Sequence, residues 1–137
     1  MACLGGSLVL SGLQSCAGSK IISGEIVEDD LVIPISAFEN LTSSQKKSRN
    51  YILVHQNRLQ YPIYIYKHSD TEYSAVWMRC THQGTELTAF GEKLLCSAHG
   101  SEFDKNGVVS NGPADQNLRS FPIKLENHHI KISLRAV

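Results

Sequence analysis

Two short segments of this chain each deliver one thiol and one imidazole. Cys80-Thr81-His82-Gln83-Gly84-Thr85 follows a stretch rich in aromatic and branched residues, and residues 83–95 separate His82 from Cys96-Ser97-Ala98-His99-Gly100-Ser101. Thiolate sulfur and imidazole nitrogen are metal donors, and the glycine in each segment permits a tight turn. In a chain with four cysteines and six histidines, C-x-H followed by C-x-x-H arises by chance in about one case in a hundred. Three uses of these atoms stay open on spacing alone. They are a Cys₂His₂ zinc site, an iron–sulfur centre, or a Cys80–Cys96 disulfide with both histidines at the surface. Zinc sites usually pair like ligands, C-x₂₋₄-C with H-x₃₋₅-H, and this order differs.

The rest of the chain reads as β. Leu31–Ile35 is a short strand whose Pro34 suggests a sheet edge. Residues Ser36–Leu41 allow one helical turn, and Thr42–Asn50, with Lys46, Lys47 and Arg49, is a polar loop. Strands are expected at Tyr51–His55, Tyr61–Tyr66, Tyr73–Arg79, Lys93–Leu95, Gly107–Val109 and near Phe121–Leu125. The last, Ile130–Leu134, alternates Ile130, Ile132 and Leu134 with Lys131 and Ser133. Many short strands without a long amphipathic helix predict an all-β fold, an antiparallel β-sandwich or small barrel. Thirteen basic against thirteen acidic side chains give no net charge, so no basic field exists to neutralise a nucleic-acid backbone.

The N-terminus has a different character. Residues 1–19 hold no charge, and their apolar part, Leu4 to Leu13, falls short of the roughly 18 residues that span a bilayer. Leu13-Gln14-Ser15-Cys16 resembles the bacterial lipoprotein box, in which cleavage precedes acylation of the cysteine. That resemblance implies a signal-like segment at 1–16, a lipid on Cys16 and a location at the cell envelope, on the periplasmic side of a bacterial membrane. The competing view is an apolar terminus with two incidental thiols, Cys3 and Cys16. Residues 17–30, rich in Gly, Ser and acid, read as a linker, which leaves 31–137 as the folded domain.

The pair C-T-H-x-G and C-x-x-H-G-S-x-F-D resembles the Rieske 2Fe–2S family. Gly112-Pro113-Ala114 matches the proline loop that covers the cluster in that family. The resemblance implies that Cys80 and Cys96 bind one iron while His82 and His99 bind the other, in a fold whose two loops hold the cluster. Two ferric ions, two sulfides, two thiolates and two neutral imidazoles sum to zero charge, whereas four thiolates would leave a dianion. An electron enters the neutral centre more easily, so histidine ligation raises the reduction potential. The module is then a one-electron relay between redox partner proteins, with no substrate-transforming site of its own.

Several positions depart from the Rieske proteins of cytochrome bc complexes. Their extra cysteine pair, joined as a disulfide, is replaced by Thr85 and Ala98, so looser and wetter loops are expected. A leucine after the first cluster histidine is replaced by Gln83. A tyrosine that bonds a cluster cysteine is replaced by Phe103. Ser101, whose hydroxyl bonds a bridging sulfide in the family, is kept. These changes weigh against quinol oxidation. The leading expectation is a lipid-tethered carrier or redox-complex subunit. Its rivals are a cytoplasmic Rieske ferredoxin serving an oxygenase or reductase, and a β-sandwich binding module with zinc or no metal. His55, His68, His128 and His129 are expected to be ordinary surface or half-buried residues.

Overall fold

A computed structural model of the chain describes residues 19–39 and 48–135. Within them the strands are β1 (Ile21–Ser23), β2 (Glu25–Val27), β3 (Asp30–Pro34), β4 (Tyr51–His55), β5 (Ile63–Lys67) and β6 (Tyr73–Trp77). They continue as β7 (Thr88–Phe90), β8 (Lys93–Leu95), β9 (Glu102–Asp104), β10 (Val109–Asn111), β11 (Ile123–Glu126) and β12 (His129–Ser133), with one 3₁₀ turn at Ile35–Phe38. The strands make three four-stranded sheets, ordered β1-β4-β5-β6, β10-β9-β8-β7 and β11-β12-β3-β2. All ladders are antiparallel except β1 with β4.

The period-2 alternation of β4, β5 and β6 explains the stacking. Ile52, Val54, Ile63, Ile65 and Ala75 face one core, with Leu31, Ile33, Phe38, Ile130 and Ile132 from the β3–β12 side. Leu53, Tyr64, Tyr66 and Val76, the intervening residues, face a second core with Met78, Leu87, Leu94, Phe103, Cys80 and Cys96. The sheet β1-β4-β5-β6 is therefore a middle layer, buried on both faces. A fully buried Ile or Leu contributes about 1.5–3 kcal/mol, so the two cores fasten the outer sheets to the middle one. The tyrosines can face a core because their hydroxyls reach its rim, where Tyr64 donates to Gly91 O at 2.7 Å.

The sheet β7–β10 is one excursion from this frame. The chain leaves β6 at Trp77 and returns alongside it, where Trp77 N–H donates to Arg119 O at 2.9 Å and Phe121 N–H to Ala75 O at 3.0 Å. Gly107, in the turn between β9 and β10, has φ +80, and a Cβ there would lie 2.9 Å from Val76 Cγ1. Only glycine lets that turn press onto the middle sheet.

Most expected strands are present within a few residues, and Asn127 and His128 turn the chain before β12 with positive φ. Two expectations are corrected. The stretch 17–30, read as a linker, carries β1 and β2, because Ile22 and Ile26 pack against the β3–β12 core. Strand β3 is not an edge strand but lies between β12 and β2. Pro34 is tolerated there because β2 pairs only as far as Val32, so the strand is locally an edge at Pro34. Leu13–Cys16, Lys46 and Lys47 lie outside the described residues.

Candidate metal centre

The two Cys/His segments fold as copies of one loop. Cys80 N–H donates to Thr85 O at 2.8 Å, and Gly84 N–H donates to Cys80 O at 2.9 Å. In the second loop Cys96 N–H donates to Ser101 O at 2.9 Å, and Gly100 N–H donates to Cys96 O at 3.0 Å. Gly84 and Gly100 have φ of +78 and +81, in the left-handed region where a side chain would be strained. Cysteine, glycine and a hydroxyl residue thus occupy matching places, Cys80/Cys96, Gly84/Gly100 and Thr85/Ser101. The histidines alone are out of step by one residue.

This register sorts the donors by burial. Cys80 and Cys96 are 1% and 3% exposed, at the margin of the core that holds Phe103 and Leu94. His82 and His99 are exposed, with ring centroids 4.9 Å apart and planes 88° apart. Both cysteines are free thiols rather than a disulfide. Burial pushes the Cys96 thiol up. Opposing it, the nearby backbone N–H groups of His99 and Ala98, with the Cys80 thiol and the Thr85 hydroxyl, favour the thiolate. These polar neighbours prevail, and the pKa falls below that of an ordinary thiol.

Among the described residues, no three His, Cys, Asp or Glu side chains stand close enough to enclose one ion. The donors pair instead as thiol with thiol and imidazole with imidazole, an arrangement that suits two metal ions side by side. A pair of buried sulfurs beside a pair of exposed imidazoles fits a sulfide-bridged iron pair in charge and in softness.

A third loop closes the site. Ser101, fully buried, accepts the Ala114 N–H at 3.0 Å, which leaves its hydroxyl proton available to donate. Thr81 Oγ1 donates to Gln116 O at 2.6 Å, and Asn111 Nδ2 donates to Gly100 O at 3.3 Å. From the bend before β5, the Tyr61 hydroxyl donates to Gly84 O at 2.7 Å. Looser loops were expected without a Thr85/Ala98 bridge, yet these four hydrogen bonds tie the loops to one another and to the frame. The sequence reading missed Thr81, Asn111 and Tyr61 because each reaches a backbone carbonyl far away in the chain. The matched Cys-x₃-Gly-[Thr/Ser] register was a visible signal for Thr85.

The remaining histidines lie apart from the metal donors in role. His55 is exposed at the end of β4, His68 bonds Ser74 Oγ at 3.0 Å, and His129 Nδ1 contacts Asn127 O at 2.8 Å. Cys16 lies outside the described residues.

Comparison with known proteins follows this geometry. A family model described as "Rieske [2Fe-2S] domain" matches residues 38–122. The cytochrome b6-f complex iron-sulfur subunit of Synechococcus sp. (strain CC9605) is 27% identical over 114 residues, covering 80% of this chain and 62% of that protein. The corresponding subunit 1 of Nostoc sp. (strain PCC 7120) is 29% identical over 112 residues, with 80% and 62% covered. The chain therefore spans about three fifths of the length of these relatives. In fold it is similar to the plasma membrane Rieske protein PetC3 from Synechocystis PCC 6803. That match has TM-score 0.53 at 24% identity, over 61% of this chain and 86% of that one.

Proposed function

The chain belongs to the family of Rieske [2Fe-2S] domains, and from that premise we propose that Cys80 and Cys96 hold one iron of its cluster and His82 and His99 the other. The domain is an electron-transfer module, and the bound cluster supplies one-electron chemistry. The observation that carries the assignment is the sorting of donors, two buried thiols behind two facing, exposed imidazoles. Cys80 and Cys96 anchor the inner end of the site in a dry core. His82 and His99 form its outer end, where a redox partner protein can approach them. Each imidazole keeps a second ring nitrogen that can exchange a proton with water. Ser101, whose hydroxyl proton is not used by the Ala114 bond, would donate it to a sulfur of the bound cluster.

Metal and sulfide analysis of the purified protein tests this. Iron and acid-labile sulfide are expected in equal amounts in a red-brown protein, and His82→Ala and His99→Ala are expected to lose the colour. One equivalent of zinc without iron would falsify the ligand assignment.

The proposed setting is a membrane-tethered carrier or complex subunit, held by lipid on Cys16. Support comes from Leu13-Gln14-Ser15-Cys16 and from the likeness to cytochrome b6-f subunits. Each buried acyl CH₂ is worth about 0.8 kcal/mol, so more than one chain would hold the protein firmly. Mass spectrometry of Cys16 from membrane fractions decides it. Unmodified wild-type protein in the cytosol would remove the tether, favour the ferredoxin-like alternative, and leave the cluster assignment intact.

A further inference from the structure

Beside the loop that carries His82, two guanidinium groups share one indole. The Cζ atoms of Arg79 and Arg119 each lie 5.9 Å from the ring centroid of Trp77, the chain's single tryptophan. Tyr61 adjoins them, with its ring 5.3 Å from Trp77 in a T-shaped contact and its hydroxyl on Gly84 O. The Arg79 guanidinium also lies against Gly84, where a Cβ would stand 3.2 Å from Arg79 Nη2. Both arginines are exposed, while Tyr61 and Trp77 are half-buried. The patch therefore runs directly into the first Cys/His loop.

Its charge has no internal counter-charge. All thirteen Asp and Glu side chains lie among the described residues, and none forms an ion pair with Arg79 or Arg119. Glu86 stands opposite Arg79 in a β-bridge without pairing with it, and Asp29 is paired with Arg135. Arg119 donates only to the neutral carbonyls of Leu134 and Arg135, at 3.3 and 3.4 Å. Two cations held on one ring repel each other, so an anion brought from outside is attracted by both.

We infer that Arg79 and Arg119, together with Trp77 and Tyr61, form a docking surface for an acidic face of a redox partner protein. That the partner is a redox protein rests on the function proposed above; the charge and shape of the surface do not. Guanidinium forks take carboxylates in bidentate fashion. Trp, Tyr and Arg are also the side chains that carry most of the energy at protein interfaces. An anionic lipid would offer phosphate to the same forks. The aromatic pair and the adjoining His82 loop favour a protein, which brings its own redox centre up to the imidazoles.

The test is a titration of the full chain with hexaglutamate at low ionic strength, about 10 mM, where surface charges are screened least. Trp77 is the only indole, so its fluorescence reads the patch itself. A saturable change is expected with hexaglutamate and not with sodium acetate at the same carboxylate concentration. Arg79→Gln and Arg119→Gln are each expected to weaken binding about threefold. Lys131→Gln, which removes one charge from β12 of the outer sheet, is expected to stay near the wild type. No saturation in the wild type, or an equal loss in all three variants, overturns the inference. A response to phosphatidylglycerol vesicles without one to hexaglutamate also overturns it, and assigns the patch to a lipid surface. Arg79 is exposed and donates no hydrogen bond among the described residues, so Arg79→Gln decides alone if Arg119→Gln does not fold. An iron-free wild type that still binds hexaglutamate through these arginines is a different result, because it removes the cluster reading and upholds the acidic docking surface.

Discussion

Ser101→Ala separates what a buried hydroxyl does for the fold from what it does for the electron. Ser101 is fully buried, and its oxygen accepts the N–H of Ala114, itself only 5% exposed, at 3.0 Å. Alanine leaves that N–H without its partner in a place that water reaches poorly, at a cost of about 1–3 kcal/mol. For a chain of this size, each kcal/mol lowers Tm by about 3–5 °C. The redox effect is independent of this. A hydrogen bond to a charged acceptor is worth about 1.5–3 kcal/mol, and only its gain on reduction moves the midpoint. The ceiling is therefore a fall of about 65–130 mV, taking 59 mV for each tenfold change in a one-electron equilibrium. Calorimetry and protein-film voltammetry on one preparation read the two effects separately. A lower Tm with an unchanged or higher midpoint refutes the donation to the centre while upholding the brace to Ala114. A lower midpoint at unchanged Tm refutes the brace.

Thr81→Val removes the bond to Gln116 O and is expected to cost about 0.5–1.5 kcal/mol. It should be read as faster bleaching of the cluster absorbance in mild denaturant, with the midpoint little changed. A further prediction concerns pH at the β7–β8 turn, where the Tyr66 hydroxyl donates to Glu92 and Lys105 pairs with Glu92 at 3.1 Å. The Tyr66 bond and Lys105 hold the Glu92 carboxyl below the usual carboxylate range, so its contribution is present above that range and is lost as pH falls through the depressed pKa. The bond to Glu92 raises Tyr66, and the same carboxylate raises Lys105. Their contributions are present below their ordinary values and fade as pH rises through the raised ones. Thermal melts across pH should therefore show a shallower acid-side slope for Glu92→Gln than for the wild type, Asp70 and Glu126 supplying the remainder, and an unaltered slope contradicts this clamp.

What was legible in the sequence follows from how local each determinant is. The metal donors were readable because the chemistry fixes residue type and spacing within a few positions, as in Cys80–His82 and Cys96–His99. Strand β12 was readable because its alternation persists over five residues, and β4 because aromatic and β-branched residues are concentrated in it. Strands β1 and β2 were not, since three residues carry no period and their Gly, Ser and Glu neighbours look like a tether. Their pairing is decided by Leu53 and Leu31, which lie elsewhere in the chain. The double burial of β5 was also hidden. Its Ile-Tyr-Ile-Tyr pattern reads as one apolar and one wet face, until the tyrosine hydroxyls find Gly91 and Glu92 at the core rim.

The same distinction bears on what stands in the place of the missing disulfide. A disulfide is visible in a sequence because both ends must be cysteine, so its absence is visible too. A hydrogen-bonded brace needs a particular side chain at one end only, and any residue's carbonyl serves at the other. Thr81 to Gln116, Asn111 to Gly100 and Tyr61 to Gly84 are all of this kind. Each is worth about 0.5–1.5 kcal/mol, against about 2–4 kcal/mol for a typical disulfide, so three together can match one covalent bridge. They differ in what they resist. A disulfide yields to a reductant, whereas these bonds do not involve sulfur and should hold the loops under reducing and oxidising conditions alike.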